Sequence, residues 1–261
     1  MPIPEGTGGG RKKEFILIYT DMKDKDLDFL SNCSNENIKL LADFMVYDSD
    51  GKERITQELT VKQSYRVNYP NNMVVILPDI VDEFQRFGGN TITNKFLGHG
   101  APYRTILEDV CKKLKVPFNK SNTTELLEQY LLQQFLVMSA DKMTEEDIHQ
   151  LSSKLTKEAF KRQLSLLKAG SPLFIRLTTM LIANLAKSVG LKQAAGLAAK
   201  FAGGRAFAVL AGPIGWVLSS LWAAYDIAGP AYRVTIPCTL TIAYLRMTQN
   251  MSEDELEEIL K

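Results

Sequence analysis

The sequence is short of the residues that usually carry chemistry. Its 261 residues include two histidines, two tryptophans and three cysteines. Cys33, Cys111 and Cys238 lie far apart with no CxxC pair, which excludes a zinc ribbon or a disulfide framework and predicts reduced thiols. No HExxH or GxSxG pattern occurs, and neither GTGGG, FGGN nor AGGR leads into the GK[ST] of a phosphate loop. An excess of charge is missing too. Lys+Arg number 31 against 30 Asp+Glu, so no global field attracts nucleic acid, and no nucleic-acid partner is expected. The N-terminal MPIPEGTGGGRKKEF has no apolar core ahead of its basic cluster, unlike a signal peptide. Strand alternation is absent except, weakly, at 15–19 and 73–77. The expectation is no catalytic residue, no metal and no cofactor.

What is present is helical periodicity in a chain that is 45% hydrophobic and 23% charged, the balance of a folded protein. Leu27, Leu30, Ile38, Leu41 and Met45 recur at helical spacing, with Ser34 or Asn35 as a cap. Asp50-Gly51 marks a turn. It is not an EF-hand, because Val46 and Gln57 would stand at positions one and twelve. Pro78-Asp79 begins a helix carrying Ile80, Val81, Phe84 and Phe87 that stops at Gly88-Gly89. Pro102 is placed as the first residue of the next helix, and Thr123 or Thr124 caps another. Thr144 and Asp147 read as a capping pattern for one charged surface helix running to Leu167. The reading is all-α: a flexible leader (1–14), a small N-terminal helical module (15–70), a larger helical bundle (71–250) and an acidic terminal helix (251–261).

From Pro172 the composition changes, and 172–246 reads as an Ala/Gly-rich apolar hairpin. Gly190, Ala194, Ala198 and Ala202 form one small-residue row, beside Ala195, Ala199 and Gly203. Between Arg205 and Asp226 there is no charge at all. That length would span a bilayer, yet Gly212-Pro213 interrupts it and much of it is Ala, Ser and Gly. The stretch is therefore read as part of a conditional hairpin, buried at rest with Trp216 and Trp222 shielded. On contact with a membrane or partner, Lys200, Arg205, Trp216 and Trp222 are the candidate contacts. Arg233 is isolated in an apolar run, so a buried ion pair with Asp226 is expected across the Gly229-Pro230 bend. A polar cluster is expected around the Gly-His-Gly loop, from Asn90, Asn94, His99, Tyr103 and Arg104. His99 is read as a turn residue, with an enzyme centred on His99 and Arg104 as the alternative. His149 belongs to the charged surface.

Three passages carry a family resemblance: FGGNTITNKFLGHGAPYRTILEDVCKKLKV, LLEQYLLQQFL and GPAYRVTIPCTLTIAYLR. They resemble the YaaW-like family of bacterial proteins over about 24–248, a family distantly linked to ubiquinol–cytochrome c chaperones. KDLDFLSNCSNENIKLLADFMVYDSDGKERITQELT resembles the short module that precedes this family's main domain. Leu97 stands just before the Gly-His-Gly, so no basic residue is carried over there, and the resemblance brings no active site. Two functions follow as expectations. The first is a non-enzymatic intracellular protein whose apolar hairpin associates conditionally with membranes, in stress response or defence. The second, which the resemblance implies, is a chaperone or assembly adaptor for a membrane-complex client. The expected partner is a protein or a membrane surface. The expected location is the cytoplasm, with the inner membrane, peripherally or by insertion, as the alternative.

Overall fold

Every named element of the computed structural model is helical, as the periodicity predicts. The structure describes residues 24–48, 50–89, 100–152, 154–188, 212–217, 220 and 232–260. The one strand-like feature among them is an antiparallel bridge between Tyr47 and Glu53, across the turn that Gly51 makes with φ of 75°.

The first described element is a 3₁₀ helix, Lys25–Asn32. Its buried residues, Leu27 and Leu30, are three apart, which is one 3₁₀ turn. Helix α1 (Asn35–Val46) follows, and Ser34 is its cap, accepting from the Asn37 amide at 3.3 Å. The Asn35 side chain does different work. It donates to the Pro70 carbonyl at 2.8 Å and accepts from the Met73 amide at 2.7 Å, fixing a distant turn. After α2 (Gln63–Asn68) comes a second 3₁₀ helix, Met73–Ile76, running into α3 (Leu77–Gly88). The weak strand expectation at 73–77 is thus overturned. Short apolar runs do not discriminate strand from helix, and Pro78 in the first turn fixes a helical φ here.

Helix α4 is Tyr103–Lys113, with Pro102 one position earlier than expected, as its N-cap. Thr123 caps α5 (Thr124–Asp141). The single charged helix expected from Thr144 is two helices, α6 (Glu145–Leu151) and α7 (Lys157–Leu166). Thr144 and Asp147 form a full capping box on the first, and Thr156 provides a fresh cap for the second by accepting from the Ala159 amide at 3.3 Å. Then come α8 (Pro172–Ser188), a helical stretch at 212–217, α9 (Tyr232–Thr248) and α10 (Glu253–Leu260).

Helix α9 is the axis of the fold. Residues 234–245 are all buried, so this helix has no solvent face through its middle. It packs against α1, α3, α4, α5 and α8, and the first 3₁₀ helix also touches it. One apolar core consequently runs from Leu27 to Leu260. Helices α8 and α9 lie together, joined by a 3.1 Å hydrogen bond between the Thr179 hydroxyl and Tyr244 OH. Most of the predicted hairpin between them, including both small-residue rows, lies outside the described residues.

Candidate functional site

Of the predicted polar cluster, Tyr103 and Arg104 are described, whereas Asn90, Asn94 and His99 lie outside the described residues. Tyr103 and Arg104 are neighbours with separate partners. Arg104 donates through Nε to Glu108 at 2.9 Å and through Nη1 to the Asn122 carbonyl at 2.8 Å, so it ties α4 to the turn before α5. Gly100 lets the chain press against the end of α3 just before it enters α4. A Cβ there would lie 2.2 Å from the Gln85 carbonyl carbon, and the Ala101 amide donates to that residue's carbonyl oxygen at 3.0 Å.

Tyr103 opens a buried network. Its amide is one of the donors a helix start leaves without a partner, and Asp24 Oδ2 accepts it at 2.6 Å. The same oxygen accepts from Gln85 Nε2 at 2.8 Å. The Tyr103 hydroxyl donates to Glu128 Oε1 at 2.6 Å, and Arg246 Nε donates to Glu128 Oε2 at 2.7 Å. Arg246 also donates to the Asp26 carbonyl and lies 4.1 Å from the Phe29 ring centre. Burial raises the Glu128 pKa, against the opposing charge of Arg246 and the tyrosine hydrogen bond. Burial, then the Glu128 charge, raises the Tyr103 pKa. The arrangement joins the N-terminal segment to α4, α5 and α9 through one satisfied carboxylate. Removing either partner of such a pair costs about 3–5 kcal/mol, so its first consequence is architectural.

Two cavities border this region. One, of about 310 Å³, lies beside the Glu128–Arg246 pair. The other, of about 510 Å³, lies between the start of α1, α8, the end of α9 and α10. No group of three or more His, Cys, Asp or Glu among the described residues is placed to hold a metal ion.

The remaining candidates fall on the apolar segment. Arg233 Nη1 lies 3.8 Å from Asp48 Oδ2, and Arg54 Nη1 lies 3.4 Å from the same oxygen. The proposed partner Asp226, and with it Lys200, Arg205 and Trp222, lies outside the described residues. Trp216 is 68% exposed, while Ile214 and Val217 beside it are buried. This corrects the expectation that Trp216 is shielded. Its neighbours face the core, and the indole is left on the other side of the turn. No helix among the described residues is long and apolar enough to cross a membrane.

Comparison with known proteins follows the same outline. A UPF0174 protein of Helicobacter pylori (strain J99) is 34% identical over 242 residues, covering 89% of this chain and 95% of the relative. The chain belongs to the UPF0174 family. Another member, UPF0174 protein YaaW of Escherichia coli (strain K12), is 35% identical over 240 residues, covering 86% of this chain and 94% of its own length. Residues 22–55 match a domain of unknown function, DUF3944, and residues 110–242, about half of the chain, match the family described as ubiquinol-cytochrome C chaperone, to which the chain also belongs. No solved structure matches. In this UPF0174 member the buried network crosses the boundary between the two matched regions. Asp24 and Asp26 come from the first and Glu128 from the second.

Sequence reasoning singled out Arg233 and passed over Arg246 and Glu128. The same signal was available for both. Arg246 ends the apolar run of α9, and Glu128 interrupts the apolar face of LLEQYLLQQFL. A charge on a face bound for the core needs an opposite charge there.

Proposed function

We propose that this protein is a non-enzymatic chaperone or assembly adaptor whose client is a subunit of a membrane-bound complex. The observation that carries this reading is the match of residues 110–242 to the ubiquinol-cytochrome C chaperone family. That region is the scaffold itself: all of α5, α6, α7 and α8, and more than half of α9. The roles of Arg104, Glu128 and Arg246 support it, since each holds helices together. In a bacterial strain lacking the protein, native gels should show less of one assembled respiratory complex, with its free subunits degraded. Unchanged levels of every such complex would overturn the reading.

The exposure of Trp216 favours a second reading, contact with a membrane. A large aromatic held outward by a turn whose other apolar residues face inward is suited to a lipid interface. Purified protein should then float with anionic liposomes, and tryptophan quenching by brominated lipid should accompany it. Protein that stays at the bottom of the gradient would remove this second reading.

A further inference from the structure

The larger cavity has a lining that specifies a ligand class. Its volume, about 510 Å³, is that of a small-ligand site or of a few large side chains. Leu40, Tyr244 and Leu256 give it apolar walls. The Tyr244 hydroxyl is already hydrogen-bonded to Thr179, so the buried end does not call for a small polar molecule. Glu36 and Glu253 stand exposed at its edge, and no Lys or Arg among the described residues lines it. The helix starts of α1 and α10 contribute roughly +0.5 charge each, too little to offset two carboxylates and the opposing end of α9.

One wall shows what kind of element fits this surface. Helix α10 is a short acidic helix that packs against α8, with Leu260 buried and Leu256 half-buried, four residues apart. The surface already accepts an amphipathic helix through an i,i+4 apolar pair. The space beside α10 has apolar walls and an acidic edge. An acidic helix like α10 would be repelled there, and one bearing Lys or Arg beside its apolar pair would be attracted.

We propose that the cavity between α1, α8, α9 and α10 is the site for a basic amphipathic helical segment of a protein partner. This rests on the chaperone reading and names the client feature it recognises. The apolar pair enters between Leu40, Tyr244 and Leu256, and the cations face Glu36 and Glu253.

Cys33 provides a native reporter. It lines the cavity and is partly accessible, whereas Cys111 and Cys238 are buried. Burial raises its pKa to about 11, so alkylation is slow and readily timed. The probe is a synthetic helix of repeated Lys-Lys-Leu-Leu units, with a Glu-Glu-Leu-Leu helix as its counterpart. At a concentration ten times its Kd, the basic helix should slow maleimide addition to Cys33 roughly tenfold, and the acidic helix should not. The double variant Glu36→Lys/Glu253→Lys and, separately, Gln249→Trp, which fills the edge from an exposed position, should each lose the protection while melting as the native protein does. Unprotected Cys33 in the native protein, equal protection by both helices, or protection that persists in both variants would each overturn the proposal. The strain experiment is independent. Lost complex assembly with an unprotected Cys33 removes this site and leaves the chaperone reading, and protection with normal assembly does the reverse.

Discussion

Helix α9 and the helical stretch at 212–217 come from the same apolar third of the chain, yet one is buried at every middle position and the other leaves Trp216 exposed. Twelve consecutive positions of α9, 234–245, are buried because helices pack on every side of it. At 212–217 Ile214 and Val217 are buried, but Trp216 is 68% exposed. Hydrophobicity does not separate the two. Helix α9 contains Thr235, Thr239 and Thr241, whereas 212–217 has no side chain that can hydrogen-bond except the indole N–H. What separates them among the described residues is enclosure: the middle of α9 is buried at every position, whereas 212–217 leaves Trp216 exposed. Full enclosure makes an apolar helix a core, and one-sided enclosure leaves an aromatic for something else to cover.

The enclosed side of the comparison breaks most severely at its one ionic anchor. Arg246→Met should lower stability by about 3–5 kcal/mol in urea unfolding at neutral pH, because it strands Glu128, which is 3% exposed. The loss should shrink in acid. Burial raises the folded-state pKa of Glu128, so the folded protein binds more protons than the unfolded chain in the window above the ordinary carboxylate value of about 4.3. Stability linked to this group is therefore fully present below that value and is lost as pH rises through the folded pKa. Arg246 opposes the shift, and removing it widens the window. A stability gap that stays constant on acidification would show that Glu128 is hydrated inside the fold.

A smaller change should act in the opposite direction. Thr239 is fully buried, and its hydroxyl oxygen has no hydrogen-bond partner among the described residues. Thr241, two residues on, does have one, donating to the Pro237 carbonyl at 2.8 Å. Thr239→Val keeps the shape and removes an unpaired polar atom, so it should stabilise the protein by about 1 kcal/mol. Thr241→Val, in the same helix, should give no such gain. Thermal melting of the two variants side by side checks the difference.

Much of this fold was legible because its signals are local. Ser34, Thr123 and the Thr144–Asp147 pair cap helices where polar residues precede apolar periodicity. The errors were local as well: the run at 73–77 carried no decisive period, and the cap at Thr156 was read through as helix. The buried network was harder to see for a different reason. Arg246 and Glu128 are 118 residues apart, and Tyr103 and Asp24 are 79 apart, so no motif spacing joins them. Only the rule that a charge on an apolar face needs a partner reaches them, and it supplies the need without the partner. Trp216 was misjudged because a sequence shows that a segment is apolar and not how many neighbours surround it.

The exposed side of the comparison should be the least sensitive to unfolding and the most sensitive to company. Trp216→Ser removes a large side chain that is 68% exposed, so the core loses little. Stability should change by no more than about 0.5 kcal/mol, as for an ordinary surface site. Ile214→Ala, three-dimensionally beside it but 0% exposed, should cost about 2–5 kcal/mol, which shows that the insensitivity belongs to the side and not to the segment. The functional readouts should divide the other way. Trp216→Ser should weaken flotation with anionic liposomes while leaving the melting temperature where it was. If Trp216→Ser lowered the melting temperature as far as Ile214→Ala, the indole would be packed in solution and the two apolar regions would be alike after all.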